Sequence, residues 1–276
     1  MIDPLYSLSG FAVGLLVGMT GVGGGALMTP LLILGFGVAP ATAVGTDLLY
    51  AAVTKTGGSL VHGFAHSIDW RVVRRLAGGS IPATVLTLAA LSLFDLNSEA
   101  ARGLITFALS FALFITAFVL VFGERLVTAY RARVAQVAPE RTALTTMVVG
   151  ALLGVLVTIS SVGAGAIGVV ALVLLYPQMP MARIVGSDIV HAVPLTLIAG
   201  TGYWMIGSVD WHIIGSLLAG SLPGIFTGSF FAIRIPERAV RVVLAVVLFA
   251  VATRIAFDHA TTASSIFTAL GRRAGP

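Results

Sequence analysis

No charged residue occurs between Pro4 and Thr46, and this uncharged run is too long for one membrane crossing. About 20 apolar residues are enough to cross the hydrocarbon core as a helix. The glycine-rich stretch Gly21–Gly25 interrupts the run, so we interpret it as two helical arms, at about 6–20 and 26–37. The second arm is only about 18 Å long. It therefore either tilts and borrows flanking residues or forms a re-entrant hairpin with the first arm.

The composition assigns the chain to the membrane. Hydrophobic residues make up 58% of the 276 residues and charged residues 10%, with a mean hydropathy of +1.04. A soluble domain carries about 25% charged residues. This excludes a soluble enzyme, a nucleic-acid-binding protein and a disordered chain. Because the apolar stretches are continuous and do not alternate, we expect an all-α integral membrane protein and not a β-barrel.

The second half of the chain repeats the first. Thr142–Ala182 is another uncharged run, broken at Ser161–Gly165. Further apolar segments lie at about 42–64, 75–94 and 102–122 in the first half, and at about 184–206, 212–233 and 239–257 in the second. Gly10, Gly14, Gly23, Gly25 and Pro40 each recur 140 positions later, and Gly45-Thr46-Asp47 recurs 141 positions later as Gly186-Ser187-Asp188. Chance sharing of small residues does not explain ordered matches with one insertion.

The arginine clusters set the expected topology. We divide the chain into a first transmembrane repeat (1–122), a cytoplasmic linker (123–142), a second transmembrane repeat (143–257) and a short tail (258–276). Placing the arginine-rich connections inside leaves both termini outside and gives the two repeats opposite orientations. The sequence thus predicts a polytopic helical bundle of two inverted-topology repeats. About 8–10 segments enter the membrane, two of them broken or re-entrant, as in many secondary transporters.

Several motifs resemble the TauE/SafE family of sulfite-exporter-like transporters. They are Gly14-x-x-x-Gly18-x-x-Gly21-x-Gly23-Gly24-Gly25, Gly45-Thr46-Asp47, and His62 with Asp69-Trp70, together with their mates in the second half. The resemblance covers about 8–257. It implies a multi-pass protein of the bacterial inner membrane that moves sulfite, an organosulfonate or a related organic acid. Many members have no acid at the position of Asp47 and a neutral residue at that of Lys55, so this chain would belong to a charged subgroup.

Three charged residues lie inside apolar segments. Lys55, the single lysine of the chain, is about nine residues from either end of its segment, too far to reach the interface. A charge at that depth is costly and indicates a cavity or a carboxylate partner. Asp47 and Asp188 are the candidate partners and proton carriers, although each could instead cap a helix N-terminus. Lys55 is a candidate anion-binding residue, or else half of a structural ion pair.

The glycine breaks are the other candidate binding elements. A helix that begins inside the membrane presents unpaired N–H groups and a partial positive charge, which suit an oxyanion. The glycines could also serve only close helix packing. With Lys55, the predicted substrate-binding residues are the following: Thr20, Gly23, Gly24, Gly25, Thr46, Ser160, Ser161, Gly163, Gly165 and Ser187.

His62 and His191 complete the predicted coupling residues, because a histidine can relay protons. The spacing of the histidines and aspartates does not indicate a resident metal, and we assign no cofactor and no catalytic residue. We expect a secondary transporter of a small anion that works by alternating access, with proton coupling as a hypothesis. The alternative is a cation or divalent-metal transporter that uses the membrane-embedded aspartates and histidines. The expected partners are the anion and the lipid bilayer, with a homodimer as one option and no nucleic acid.

Overall fold

The structure, a computed structural model, describes residues 2–20, 25–64, 67–96, 98–131, 139–232 and 240–257. All regular elements in these ranges are helices. They are α1 (Pro4–Thr20), α2 (Gly25–Phe36), α3 (Pro40–Phe64), α4 (Trp70–Ser92), α5 (Glu99–Arg131), α6 (Pro139–Ser160), α7 (Ala166–Leu175), α8 (Met181–Met205), α9 (Trp211–Ala232) and α10 (Val240–Phe257). The predicted segments are all present, within a few residues at most of their ends. The exceptions are α4, which begins five residues earlier, and α5, which continues to Arg131 and occupies part of the predicted linker.

The outer surface of the bundle suits a lipid environment. Five of the described helices are long and apolar enough to cross a membrane: parts of α5, α6 and α9, and all of α8 and α10. Large apolar side chains point outward on these helices, with Phe107 63% exposed on α5 and Phe226 80% exposed on α9. Exposed apolar surface of this extent is rare on a soluble monomer and normal where lipid covers it. The chain is therefore a multi-pass helical membrane protein.

Helix α1 of the first repeat packs against α9 of the second at backbone distance. Both helices carry glycine at every fourth position along the contact: Gly10, Gly14 and Gly18 in α1, and Gly220, Gly224 and Gly228 in α9. A Cβ atom on Gly14 would collide with the carbonyl oxygen of Ser221, and one on Gly224 with that of Phe11. Small residues allow this approach between membrane helices, where dispersion and backbone contacts drive association. The order of the contacts shows that the two helices run parallel.

The same contact recurs between α4 of the first repeat and α6 of the second. Gly150 and Gly154 of α6 touch the backbone of Leu76 and Ser80, and Gly79 of α4 touches that of Met147. The central pair, α3 and α8, is antiparallel, with Gly45 against Tyr203 and Gly200 against Leu49. Each of these three helix pairs combines one helix from each repeat. The repeats therefore interlock and share a core.

Helices α2 and α7 turn back toward the face where α1 and α6 begin. The ring of Tyr6, near the start of α1, stacks on Phe36 at the end of α2 with centroids 4.3 Å apart. At the equivalent place, the hydroxyls of Thr146 in α6 and Tyr176 after α7 are hydrogen-bonded at 2.8 Å. Of the two alternatives for the uncharged runs, the structure has the re-entrant hairpin. Because α2 and α7 are only about 18 and 15 Å long, their N-termini lie inside the membrane.

Two reciprocal hydrogen bonds show the inverted topology. The hydroxyl of Thr46, early in α3, accepts from the backbone N–H of Asp210 at the start of α9, at 3.1 Å. The hydroxyl of Ser187, early in α8, accepts from the N–H of Asp69 at the start of α4, at 2.8 Å. The starts of α3 and α9 thus share one face of the bundle, and those of α8 and α4 share the other. Related helices of the two repeats enter the membrane from opposite faces.

Replacing Gly224 by Ala tests the close packing of α1 and α9. The new methyl group meets the backbone of Phe11, which has no side-chain freedom to yield, so the helices must separate. We expect a loss of about 1–3 kcal/mol in the free energy of unfolding, as for overpacking in other cores. The measurement is thermal unfolding in detergent micelles.

Gly215→Ala is the matched control, because it lies on the same helix and a Cβ there meets nothing within 4 Å. Its melting temperature should equal or slightly exceed that of the wild type, since Ala favours helix more than Gly. Equal melting temperatures for the two variants would contradict the packing described here.

Candidate functional site

Asp47 and Asp188 occupy equivalent places in the central helices. Each is the eighth residue of its helix, in α3 and α8 respectively, and each is buried, with relative exposures of 0% and 1%. Neither aspartate caps a helix N-terminus, so the capping role considered from the sequence is excluded. The capping role belongs to Asp69, which accepts from the N–H groups of Arg71 and Val72 at the start of α4. Asp47 and Asp188 are therefore free to serve the interior of the bundle.

The carboxylate of Asp47 faces both hairpins. Thr29 of α2 donates its hydroxyl to Oδ2 of Asp47 at 2.5 Å. Ser161, in the turn after α6, is directed at the same carboxylate from the second repeat. Within the described ranges, neither Oδ1 of Asp47 nor Oγ of Ser161 completes a hydrogen bond, although both are buried. Buried polar atoms without partners are rare in native proteins and indicate a place where a proton, water or ligand binds.

The carboxylate of Asp188, a residue of α8, lies beside the N-terminus of α7. It is close to the backbone N–H of Gly165, and a Cβ atom on Gly168 would collide with its Oδ1. That Oδ1 atom has no hydrogen-bond partner among the described residues. The positive end of α7, predicted from the sequence to receive an oxyanion, already faces a carboxylate of the protein itself. A substrate anion must therefore share this end with Asp188 or displace it.

The side chain of Lys55, in the first repeat, reaches the turn of the second hairpin. Its Nζ atom donates to the carbonyl oxygen of Ala164, between α6 and α7, at 3.2 Å. The ammonium group is also near enough to interact electrostatically with Asp47, Asp188 and His191. No direct hydrogen bond joins it to either carboxylate among the residues the structure describes. One cation thus lies near two carboxylates, at the turn of the second hairpin.

The turn that presents the Ala164 carbonyl depends on unusual backbone angles. Ser161 has a φ of 59°, and Gly163 and Gly165 each have a φ of 128°. Glycine adopts such angles without a Cβ clash, so these two positions explain the glycines of the second break. The predicted role of Gly163 and Gly165 in binding is not tested by this geometry, which assigns them the turn itself.

His191 belongs to a second polar contact between the repeats. It is fully buried in α8, its Nε2 is hydrogen-bonded to the hydroxyl of Ser80 in α4 at 2.8 Å, and its Nδ1 has no partner in the described chain. Its mate in the first repeat is Tyr50 of α3, which lies beside Ser221 of α9, the mate of Ser80. Both serines sit where the glycine-packed helix pairs touch. These contacts connect the central helices to those pairs.

Three predicted hydroxyl residues have structural partners. Thr46 and Ser187 accept the N–H groups that begin α9 and α4, as described above. The hydroxyl of Ser160 donates to the carbonyl oxygen of Leu156 at 2.7 Å and accepts from the backbone N–H of Val162 at 3.2 Å, at the end of α6. In this conformation the hydroxyl groups of these three residues are hydrogen-bonded to backbone groups.

Some predicted residues fall outside what the structure describes. Gly23 and Gly24 lie outside the described residues, and so do the side chains of Thr20 in α1 and His62 in α3. Gly25 is the first residue of α2. Among the described residues, no group of three His, Asp, Glu or Cys side chains is arranged to hold a metal ion.

Sequence reasoning missed Thr29, Ser80 and Ala164. Ser80 carried a usable signal, because it recurs as Ser221 within the repeated Gly-Ser-x-Pro motif. Thr29 has no counterpart in the second repeat, where Val169 takes its place. Ala164 contributes only its carbonyl oxygen, which no side-chain pattern reports.

Comparison with known proteins identifies this arrangement. The profile of the family described as sulfite exporter TauE/SafE matches residues 6–255, from α1 to near the end of α10. This chain belongs to the TauE/SafE family. The match covers both hairpins and both repeats. The protein is a membrane transporter of the TauE/SafE type.

Curated relatives agree with this assignment. The chain is 37% identical to the "Probable membrane transporter protein YjnA" of Bacillus subtilis (strain 168) over 242 residues, which cover 87% of this chain and 94% of the relative. It is 25% identical to "Probable membrane transporter protein YdhB" of the same organism, over 82% of this chain and 89% of the relative. A "Probable membrane transporter protein" of Xylella fastidiosa (strain Temecula1 / ATCC 700964) is 29% identical over 82% of this chain and 84% of the relative. No solved structure matches this TauE/SafE protein.

Replacing Thr46 by Val separates a structural role from a binding role. The substitution leaves the N–H of Asp210 without its acceptor in a partly buried place, which costs about 1 kcal/mol or more. We expect a lower melting temperature in detergent, measured by thermal unfolding.

Thr201→Val is the control, because the hydroxyl of Thr201 bonds only a carbonyl of its own helix, that of Leu197. An unchanged melting temperature for Thr46→Val would show that Thr46 does not hold the start of α9.

Proposed function

We propose that the protein is a secondary transporter of a small anion, coupled to protons and working by alternating access. Sulfite, an organosulfonate and a related organic acid are the proposed cargo class. The observation that carries the proposal is the position of Lys55, inside the membrane at the turn of a re-entrant hairpin and near two buried aspartates. A cation at that depth is costly, and a transported anion gives it a function.

In this proposal, the charges of the site couple the binding of the anion to the binding of protons. With Asp47 and Asp188 ionised and Lys55 protonated, the site carries a net charge of −1 and repels an anion. Protonation of both aspartates changes the net charge to +1, so an anion is attracted only after protons have bound. The buried, unpartnered Oδ1 atoms of the two aspartates are the proposed places for those protons. Proton and anion would then move together, because binding of both protons gives the site the positive charge that the anion balances.

The hairpins supply further donors. With its carboxylate protonated, Asp188 competes less strongly for the N-terminus of α7, and the N–H of Gly165 becomes available to an oxyanion. The hydroxyl of Ser161, which is buried without a completed hydrogen bond among the described residues, adds a donor at the same turn. We propose Lys55, Ser161, Gly163, Gly165 and Gly25 as the binding set on the described residues. Thr46, Ser160 and Ser187 are left out, because their hydroxyls hold the backbone.

The inverted repeats support alternating access. The outer ends of the two hairpins lie at opposite faces of the bundle, where a side-chain contact joins the two arms of each hairpin. The movement would carry one group of helices against another around a fixed central site, as in other transporters with inverted repeats. We place the arginine-rich face, with Arg71, Arg75 and Arg183, in the bacterial cytoplasm, which leaves both termini outside.

A cation transporter is the second candidate. It is favoured by the excess of carboxylates over lysine and by the carbonyl oxygen of Ala164 at the hairpin turn, both of which suit a cation. It is disfavoured by Lys55, which repels cations from the same place. Divalent-metal transport also lacks a three-residue ligand group in the part of the chain that is described.

Proteoliposome uptake decides between the two. Purified protein is reconstituted, and uptake of radiolabelled sulfite is compared with uptake of a divalent metal ion, with and without a proton gradient. We expect sulfite uptake that rises when the external side is made more acidic, because protonation of Asp47 and Asp188 must precede anion binding. Metal uptake without anion uptake would replace the proposal by its alternative.

Lys55→Met isolates the central residue. The substitution keeps a long apolar stem and removes the charge, so in Na⁺-free buffer we expect anion uptake to fall at least about tenfold, which corresponds to 1.4 kcal/mol. Gly57→Ala is the control on the same helix, since a Cβ there meets nothing within 4 Å. Unchanged uptake by folded Lys55→Met would remove Lys55 from the anion site.

A further inference from the structure

The oxygen atoms around the Lys55 ammonium have the composition of a cation site. They are the carbonyl oxygen of Ala164 at 3.2 Å, the carboxylates of Asp47 and Asp188, which act on the ammonium electrostatically without a direct hydrogen bond to it in the described structure, and the hydroxyl of Ser161, which is directed at Asp47. Hard monovalent cations bind such oxygen ligands, and carbonyls at breaks in membrane helices are a common source of them. The ammonium of Lys55 is the only positive charge that the described residues bring to these oxygens.

The oxygens are also incompletely satisfied. Oδ1 of Asp47, Oδ1 of Asp188 and Oγ of Ser161 are each buried, and none forms a hydrogen bond in the described part of the chain. Lys55 makes one hydrogen bond, to Ala164. An ammonium on a flexible stem has three donors, so two remain for oxygens that approach when the hairpin moves. The site therefore offers more ligands than the lysine uses in this conformation.

We propose that Lys55 occupies a Na⁺-type cation site as a tethered cation, and that the site binds Na⁺ when the lysine is replaced by a neutral residue. This deepens the proposed function by naming the role of Lys55 in coupling, and it rests on that function only for the transport assay. A tethered cation cannot dissociate, so the wild-type protein gains nothing from a Na⁺ gradient and uses protons. A free ion in the same place would link anion movement to Na⁺.

The inverted repeat indicates which neutral residue to introduce at position 55. The mate of Lys55 in α8 is Thr196, 141 positions later, whose hydroxyl bonds the carbonyl oxygen of Ala192 in its own helix. Lys55→Thr thus installs a residue that the fold already accepts at the equivalent position. It leaves two carboxylates without a fixed counter-charge, a costly arrangement that a bound cation relieves.

Thermal unfolding in detergent tests the site without any substrate. Wild type, Lys55→Thr and Lys55→Met are each melted in NaCl and in choline chloride of equal ionic strength. We expect no difference for the wild type, and a saturable rise of at least about 3 °C in NaCl for both variants, because a ligand that binds only the folded state raises its melting temperature. The double variant Lys55→Thr, Asp188→Asn should lose most of this rise.

Transport then tests coupling. Sulfite uptake by Lys55→Thr should become at least about fivefold faster with an inward Na⁺ gradient, whereas wild-type uptake should not respond to Na⁺. If Na⁺ raises the melting temperature of the wild type or increases its sulfite uptake, the inference is overturned, even if neither variant folds. Folded variants that Na⁺ does not stabilise also overturn it. If Na⁺ stabilises the variants but no protein moves sulfite, the cation site stands and the proposed cargo fails.

Discussion

Backbone contact between helices of different repeats is the interaction on which the rest of this structure depends. In lipid there is little hydrophobic gain from bringing two apolar helices together, so close approach must supply the energy. The glycines of α1 and α9, and those of α4 and α6, allow that approach. Ser221 and Ser80 lie at these contacts and meet Tyr50 and His191 of the central helices. The positions of α3 and α8, and of the charges they carry, follow from this packing.

The central charges illustrate how an inverted repeat becomes asymmetric. Asp47 and Asp188 keep equivalent positions, but the position of Lys55 corresponds to Thr196, and that of Thr29 corresponds to Val169. One half-site therefore has a hydroxyl on its carboxylate, and the other has a lysine from the opposite repeat near it. In the proposed function, the symmetric scaffold serves access from the two faces, and the unequal side chains distinguish one charge state of the site from another.

The fold was largely predictable because membrane constraints act locally along the chain. Uncharged length, glycine breaks and ordered matches indicated the helices, the breaks and the repeat, and the arginine clusters indicated its inverted topology. The arms at 6–20 and 26–37 agree closely with α1 and α2. The site was predictable only in part. Lys55, Asp47 and Asp188 stood out because burying charge is costly. The assignments of Thr46, Ser160 and Ser187 to binding rested on residue type alone, whereas their hydrogen bonds serve the backbone.

The sequence by itself determined that the chain is a membrane protein of two related halves, because length, hydropathy and internal matches are properties of the linear chain. It also determined which charges would be expensive to bury. Only the tertiary structure decided that the arms return as hairpins, that Asp188 faces the N-terminus of α7, and that Lys55 reaches Ala164 in the other repeat. These contacts join residues 30 and 109 positions apart, or depend on backbone atoms. Neither kind of contact has a signature in local sequence patterns.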